Sequence, residues 1–388
     1  MKGKGKLRVA IVHHWFVTRG GGERVAECIA SLFPEAEIFT LLTDGPGVPD
    51  GLRDRPIHTS FLQKIPMARR YHRHMMPLYP AATECLDLRG FDLVITSDSG
   101  PVKGVRLGEG AVQICYCHSP MRYLYDGFEA YRSKMGALTR AVFSATAGRV
   151  RRWDLRAAEK VTFFIANSNY VARRIERIYR RESRVIHPPI DLHRARMVDA
   201  PGEHYLSAGR LVGYKRTELM IEACGRMVRK LRIAGTGPEE KSLKSLAGNA
   251  DVEFLGEMST EALWQEYANC RALLFAADED FGMVPLEAQA CGRPVIAYGA
   301  GGSLETVQGD GASPTGVYFS EQTVESLMEG ISRFELVDAA GTFIPSVIQS
   351  RAAEFATPVF LRRLREFVLE KVPEAAGAMA SDSALDLV

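Results

Sequence analysis

The chain has 388 residues, of which 46% are apolar and 25% charged, with a formal net charge of +2. That length suits two domains of roughly 180–190 residues, each large enough to bury a core, and the composition excludes a disordered or fibrous chain. No window approaches the ~20 apolar residues needed to span a bilayer, and residues 1–6 lead into a strand-like run without a signal-type apolar stretch, so a cytoplasmic protein is expected.

In chain order, short β-type runs alternate with helical stretches: a strand over 7–12, a helix over 22–32, then strands over 37–42, 92–96, 112–117 and 161–166, the last followed by a helix. That alternation predicts a parallel, doubly wound α/β sheet. Pro188-Pro189 fixes extended backbone and cannot belong to a helix interior or a central strand, so a linker is placed at 188–203, closing an amino-terminal domain of 1–187. The pattern then restarts over 204–357: strands at 204–208, 231–234, 251–255, 272–276 and 294–297, with helices from 215, from 238 and over 284–290. A last helix, 358–372, sets Val359, Leu361, Leu364, Phe367 and Val368 along one apolar stripe and must pack on something, by expectation back on the first domain. Residues 373–388 are small or polar and are expected to be disordered.

The near-neutral total hides an asymmetry. Residues 1–185 carry 30 Lys+Arg against 18 Asp+Glu, and residues 186–388 carry 19 against 29. A basic half implies a polyanionic partner, either nucleic acid or an anionic membrane. The seven cysteines sit mostly in apolar runs and read as reduced core residues. Cys115 and Cys117 share one strand face, but no second pair offers a zinc partner, so no metal is expected.

Three segments carry chemistry. Gly20-Gly21-Gly22-Glu23-Arg24 follows the first strand and opens a helix, where glycines and free amides can approach a phosphate or a sugar hydroxyl. Its spacing fits neither the dinucleotide fingerprint nor the Walker loop, and by itself it reads equally as a flexible turn. Gly209-Arg210-Leu211-Val212-Gly213-Tyr214-Lys215-Arg216 puts two cations five residues apart at the carboxyl edge of a sheet, able to grip a diphosphate; a solvated basic turn is the other reading. In Glu279-Asp280-Phe281-Gly282-Met283-Val284-Pro285-Leu286-Glu287, Gly282 permits a turn into a helix. Glu279 then lies in the loop, Glu287 projects from the helix, and the Met283 and Val284 amides face an anion. A carboxylate can take a vicinal diol through two hydrogen bonds, at about 1.5–3 kcal/mol per charged bond.

Two Glu separated by seven residues, followed by Ala288, Cys291-Gly292 and Pro294-Val295, resemble the signature of the family-4 retaining glycosyltransferases. Gly209-Arg210 with Lys215, Gly235-Thr236-Gly237-Pro238, and Gly301-Gly302 with Glu305 strengthen the likeness, which runs from Val9 to about Phe334. His118-Ser119-Pro120-Met121-Arg122-Tyr123, Ile165-Ala166-Asn167-Ser168, Gly20-Gly21-Gly22-Glu23 and Glu279-Asp280-Phe281-Gly282 are most similar to bacterial GDP-mannose-dependent mannosyltransferases of polysaccharide and O-antigen assembly.

The resemblance implies two Rossmann-like, doubly wound domains facing a cleft, the GT-B type. A nucleotide-sugar donor, GDP-mannose, would be bound mainly by the carboxyl-terminal domain, with no obligatory cofactor or metal. Arg210 and Lys215 would neutralise the departing diphosphate, Glu287 would hold the ribose, Glu279 the hexose hydroxyls, and His118 would face the sugar. The donor set further includes Gly21, Gly22, Gly235, Gly237, Phe281, Gly282, Met283 and Val284, and the acceptor side Glu23, Arg122 and Tyr123. The same architecture also serves UDP-sugar transferases, nucleotide-sugar epimerases, phosphorylases and non-catalytic sugar-nucleotide binders. Asp278-Glu279-Asp280 spells the Asp-x-Asp of metal-dependent transferases, but those build a different, single nucleotide-binding domain.

Arg69-Arg70-Tyr71-His72-Arg73-His74 and the arginines of 149–156 and 173–184 lie in no recognised nucleic-acid module, so nucleic acid is not an expected partner. With Tyr71, Met75, Met76, Leu78 and Tyr79 interleaved, the basic half suits peripheral docking on an anionic leaflet, where a polyprenyl-diphosphate-linked glycan would be the acceptor.

Overall fold

The computed structural model describes residues 7–381 apart from 134, 310 and 312. The chain divides into two compact units: residues up to Pro189 together with those from Pro358 form unit 1, and Ile190–Thr357 form unit 2.

Unit 1 is built on seven parallel strands: β1 (Val9–His13), β2 (Glu37–Thr40), β3 (Ile57–Thr59), β4 (Leu93–Asp98), β5 (Val112–Cys117), β6 (Phe163–Ala166) and β7 (Ser183–Val185). Their order across the sheet is β3-β2-β1-β4-β5-β6-β7. Alternate side chains enter opposite layers, as the two-residue period of a strand requires. Val9 and Ile11 pack with the helix α1 (Gly21–Leu32), while Ala10 and Val12 pack against the long helix α2 (Ala137–Lys160). Burial on both faces explains why β1 reads as an uninterrupted apolar run. Helix α3 (Asn169–Tyr179) follows β6 and is capped by the Ser168 hydroxyl, which accepts from the Val171 amide.

Unit 2 repeats the plan with six parallel strands: β8 (Tyr205–Ala208), β9 (Leu231–Ala234), β10 (Val252–Gly256), β11 (Ala272–Phe275), β12 (Val295–Tyr298) and β13 (Gly316–Phe319), ordered β10-β9-β8-β11-β12-β13. Helix α4 (Thr217–Met227) follows β8, and α5 (Met283–Ala290) follows β11. Helix α6 (Val324–Ala339) buries Leu327, Ile331 and Phe334 on the sheet face that also holds Tyr205 and Leu274.

Helix α7 (Thr357–Lys371) drives Phe360, Leu361, Leu364, Phe367 and Val368 into the unit 1 core beside α1. The expectation of disorder from 373 is wrong over 373–381. Pro373–Ala378 forms a 3-10 turn, Ala375 is fully buried, and the Ala380 amide donates to the Leu32 carbonyl. Small residues need little room, so a groove beside α1 holds a segment that composition alone marks as unfoldable. Residues 382–388 of that expected tail lie outside the described residues. Two further expectations fail on burial: Met76 and Tyr79 are core residues rather than surface anchors, and Cys85 is exposed rather than buried. Among the described residues, no helix is long and apolar enough to cross a membrane.

Candidate active site

In an open parallel sheet, ligands bind beyond the carboxyl ends of the two neighbouring strands from which the chain departs in opposite directions. In unit 2 those strands are β8 and β11. The loop after β8 carries Arg210, which is exposed, and Lys215, which ends a 3-10 turn over Gly213–Lys215. The loop after β11 carries Glu279. Lys215 Nζ pairs with Glu279 Oε1, and both side chains are largely buried, at 15% and 17% exposure. Burial works to lower the Lys215 ammonium, but Glu279, Tyr214 and Glu287 outweigh it and hold it above the ordinary lysine value. The ammonium also lies 5.7 Å from the ring centroids of Tyr214 and Phe275. Glu287 projects from α5, and its Oε2 accepts a 2.7 Å hydrogen bond from the buried Tyr267 hydroxyl, which fixes the carboxylate's direction.

Glycines allow these loops to approach one another. Gly235 has φ +122°, and a Cβ there would stand 2.0 Å from the Gly209 carbonyl oxygen; at Gly237 it would stand 2.3 Å from that of Leu211. The loop after β9 therefore lies backbone to backbone under the loop of Arg210, bonded through Gly209 N to Ala234 O and Leu211 N to Thr236 O, each 2.9 Å. Gly302 donates its amide to the Glu279 carbonyl at 2.8 Å, and a Cβ on Gly302 would meet Phe281 Cα at 2.2 Å. Gly282, at φ +85°, turns the chain into α5.

Unit 1 gathers a second cluster at the corresponding edge, where β1 and β4 are the strands that diverge. His13 ends β1, His14 follows it, Ser97 lies in β4, and His118 follows β5 with its amide donating to the Asp98 carbonyl at 2.8 Å. Gly22, in the first turn of α1, faces all three imidazoles: its Cβ position lies 3.6 Å from His13, 3.9 Å from His118 and 3.9 Å from His14. The Ser97 hydroxyl lies 3.0 Å from His13 Nδ1 and 2.8 Å from His118 Nε2. Burial holds the three rings neutral, His13 well below the ordinary value, His14 at about 3 and His118 at about 4. Glu23 is buried in the same turn and accepts from the Thr18 hydroxyl; burial pushes its carboxyl up to about 7.

The structure thus brings Lys215, Glu279, Glu287, Gly282, Met283 and Val284 together in unit 2, with Arg210 in the same loop as Lys215. It brings Gly21, Gly22, Glu23 and His118 together in unit 1. Gly235 and Gly237 act through close backbone packing. Phe281 is only 3% exposed and tilts against Phe355 with centroids 5.7 Å apart, so its ring belongs to the core and only its backbone belongs to the loop. Arg122 and Tyr123 are half-buried in a 3-10 turn, with the Tyr123 hydroxyl 3.0 Å from Met121 Sδ. Sequence reading missed His13, His14, Ser97 and Tyr267. The signal for the first three was available: polar residues directly after buried apolar runs, at the carboxyl ends of parallel strands. Among the described residues, no group of three or more His, Cys, Asp or Glu is arranged to hold a metal ion.

Two parallel, doubly wound sheets, with two cations and two carboxylates in the loops at the switch point of the second, define the class, and comparison with known proteins gives the family. The model of the Glycosyltransferase Family 4 domain matches residues 19–194, and that of the glycosyl transferases group 1 matches residues 194–338. The chain belongs to the family-4 glycosyltransferases of GT-B fold. It is 38% identical over 127 residues to a D-inositol 3-phosphate glycosyltransferase of Geodermatophilus obscurus, 28% of each chain. It is 34% identical over 151 residues to a GDP-mannose-dependent monoacylated alpha-(1-6)-phosphatidylinositol monomannoside mannosyltransferase of Corynebacterium glutamicum, 33% of this chain and 36% of that one. The matches span about a quarter to a half of the length of these and the other similar curated relatives. The fold matches that of Anabaena HepE, solved in complex with UDP, at TM-score 0.69 and 17% identity over 94% of this chain and 100% of that one. Sucrose-phosphate synthase from Thermosynechococcus elongatus gives TM-score 0.68 and 16% identity over 95% and 100%.

Proposed function

We propose that the protein transfers mannose from GDP-mannose, with retention of anomeric configuration, onto a glycan or polyprenyl-diphosphate-linked acceptor in bacterial polysaccharide assembly. The observation that carries this reading is the buried pairing of Lys215 with Glu279 beside Glu287, at the edge where an open sheet takes its ligand. Lys215 and Arg210 neutralise the charge that develops on the diphosphate as it leaves, Glu287 takes the ribose and Glu279 the hexose hydroxyls. With the acceptor entering on the face the diphosphate leaves, a phosphate oxygen accepts the acceptor's proton. Because two cations supply the counter-charge, the reaction has no obligatory metal, and chelation leaves the rate unchanged. His118, on unit 1, hydrogen-bonds the sugar.

The test is a panel of GDP- and UDP-sugars with lipid-linked acceptors, with products identified by mass. Mannose transfer with release of GDP supports the reading; release of UDP alone refutes the donor assignment. A Glu279→Ala variant with full transfer activity refutes the site. A UDP-sugar donor is the second reading, favoured by the likeness of fold to HepE, which was solved with UDP and with UDP-glucose.

We further propose peripheral attachment at the cytoplasmic face of the membrane. Phe61, Met67, Tyr71 and Leu78 are exposed beside exposed Arg69 and Arg70, and the first turns of α2 expose Leu138 and Val142 around Arg140. Co-sedimentation with phosphatidylglycerol vesicles but not with phosphatidylcholine vesicles is the expected outcome; recovery in the supernatant with both refutes the attachment, and equal sedimentation with both refutes its dependence on anionic headgroups.

A further inference from the structure

The Ser97 hydroxyl stands between two histidine nitrogens, 3.0 Å from His13 Nδ1 and 2.8 Å from His118 Nε2. Among the described residues its proton has no acceptor other than these two ring nitrogens, and accepting from both rings would bury that proton unsatisfied, so the hydroxyl donates to one ring and accepts from the other. His13 decides the direction. Its ring is fully buried, and its Nε2 has no hydrogen-bond partner among the described residues. A neutral imidazole carries one N–H. Placing that proton on Nε2 would bury an unsatisfied donor, whereas placing it on Nδ1 leaves a lone pair unpaired and gives Ser97 a hydrogen bond. His13 Nδ1–H therefore donates to Ser97 Oγ, and Ser97 O–H donates to His118 Nε2. His118 Nε2 is then an acceptor, and its proton resides on Nδ1.

We infer that Ser97 and His13 are positioning residues that hold His118 in its Nδ1–H tautomer, so that the ring offers its ligand a hydrogen-bond donor and not a basic nitrogen. The partner this fits is an oxygen lone pair, such as a hexose hydroxyl or ring oxygen, and not a proton to be abstracted. The His118 amide, bonded to the Asp98 carbonyl, fixes the backbone that carries the imidazole. The inference rests on the proposed role of His118 at the sugar.

The experiment is long-range 1H–15N NMR on the full chain carrying ring-15N histidine, with His118 assigned by its loss in His118→Asn. At pH 7 the wild type is expected to show His118 Nδ1 as the protonated nitrogen and Nε2 as the bare one. Ser97→Ala is expected to shift His118 toward the Nε2–H form and to lower kcat roughly tenfold with donor KM little changed, as loss of one oriented hydrogen bond implies. Ser97→Thr, which keeps the hydroxyl, is expected to restore both. Protonation at Nε2 in the wild type overturns the inference, and so does an unchanged tautomer in a folded Ser97→Ala protein. If the tautomer is as stated but His118→Asn transfers sugar at the full rate, the role of His118 at the sugar falls while the tautomer assignment stands.

Discussion

Replacing Glu23 with Gln removes an ionisable carboxyl from the turn that opens α1 while keeping the side chain's shape. In the folded protein the Glu23 carboxyl rises from its ordinary value of 4.5 to about 7, because burial outweighs the hydrogen bonds it receives from its own amide, Thr18 and Gly20. A carboxyl whose pKa is raised by folding favours the folded state fully below its unfolded pKa, and that contribution is lost as pH climbs through the folded value. At 1.36 kcal/mol per pK unit, the loss approaches about 3 kcal/mol by pH 8. His13, His14 and His118, whose pKa values are lowered, act in the opposite sense as pH falls below the ordinary histidine value, and they do so in both proteins. The difference between wild type and Glu23→Gln therefore isolates the carboxyl. In urea unfolding followed by tryptophan fluorescence, the two are expected to match at about pH 4.5, with the variant pulling ahead as pH rises to 8. A difference that stays flat from pH 4.5 to 8 refutes the assignment of a buried, neutral Glu23.

Lys103→Met is expected to destabilise unit 1 by about 3–5 kcal/mol, read as a lower urea midpoint. The lysine is buried between Asp98, 3.1 Å away, and Asp154, 2.5 Å away, and its removal leaves two carboxylates facing each other out of water. Gly235→Ala is expected to lower the melting temperature of unit 2 and to abolish nucleotide binding. Its Cβ meets the Gly209 carbonyl at a backbone angle that side chains rarely adopt, a strain of roughly 2–4 kcal/mol.

Most strands of both sheets were legible because they are apolar runs bounded by turn residues, and the parallel α/β class followed from their alternation with helices. The edge strands β3, β7 and β13 were not, since Ile57–Thr59 and Ser183–Val185 are three residues long and carry polar side chains, and Gly316–Phe319 begins on a glycine. Helix α2 escaped because its buried residues, Phe143, Ala147, Val150, Trp153 and Ala157, are separated by arginines that mask the stripe. The cations and carboxylates of unit 2 could be found because they lie in short glycine-punctuated motifs. For His13, Ser97 and His118 the sequence shows each as a polar residue at the end of a predicted strand but not their mutual contact, because they lie 84 and 21 residues apart and meet only once β1, β4 and β5 are side by side.

The central claim is that Lys215 holds the diphosphate of a nucleotide donor. Calorimetric titration of GDP into wild type and Lys215→Ala tests it most directly. Loss of one charge-assisted contact from a largely buried ammonium predicts binding weaker by roughly 10- to 100-fold in the variant, with a folded protein by circular dichroism. Equal affinity of the two proteins for GDP would contradict the account.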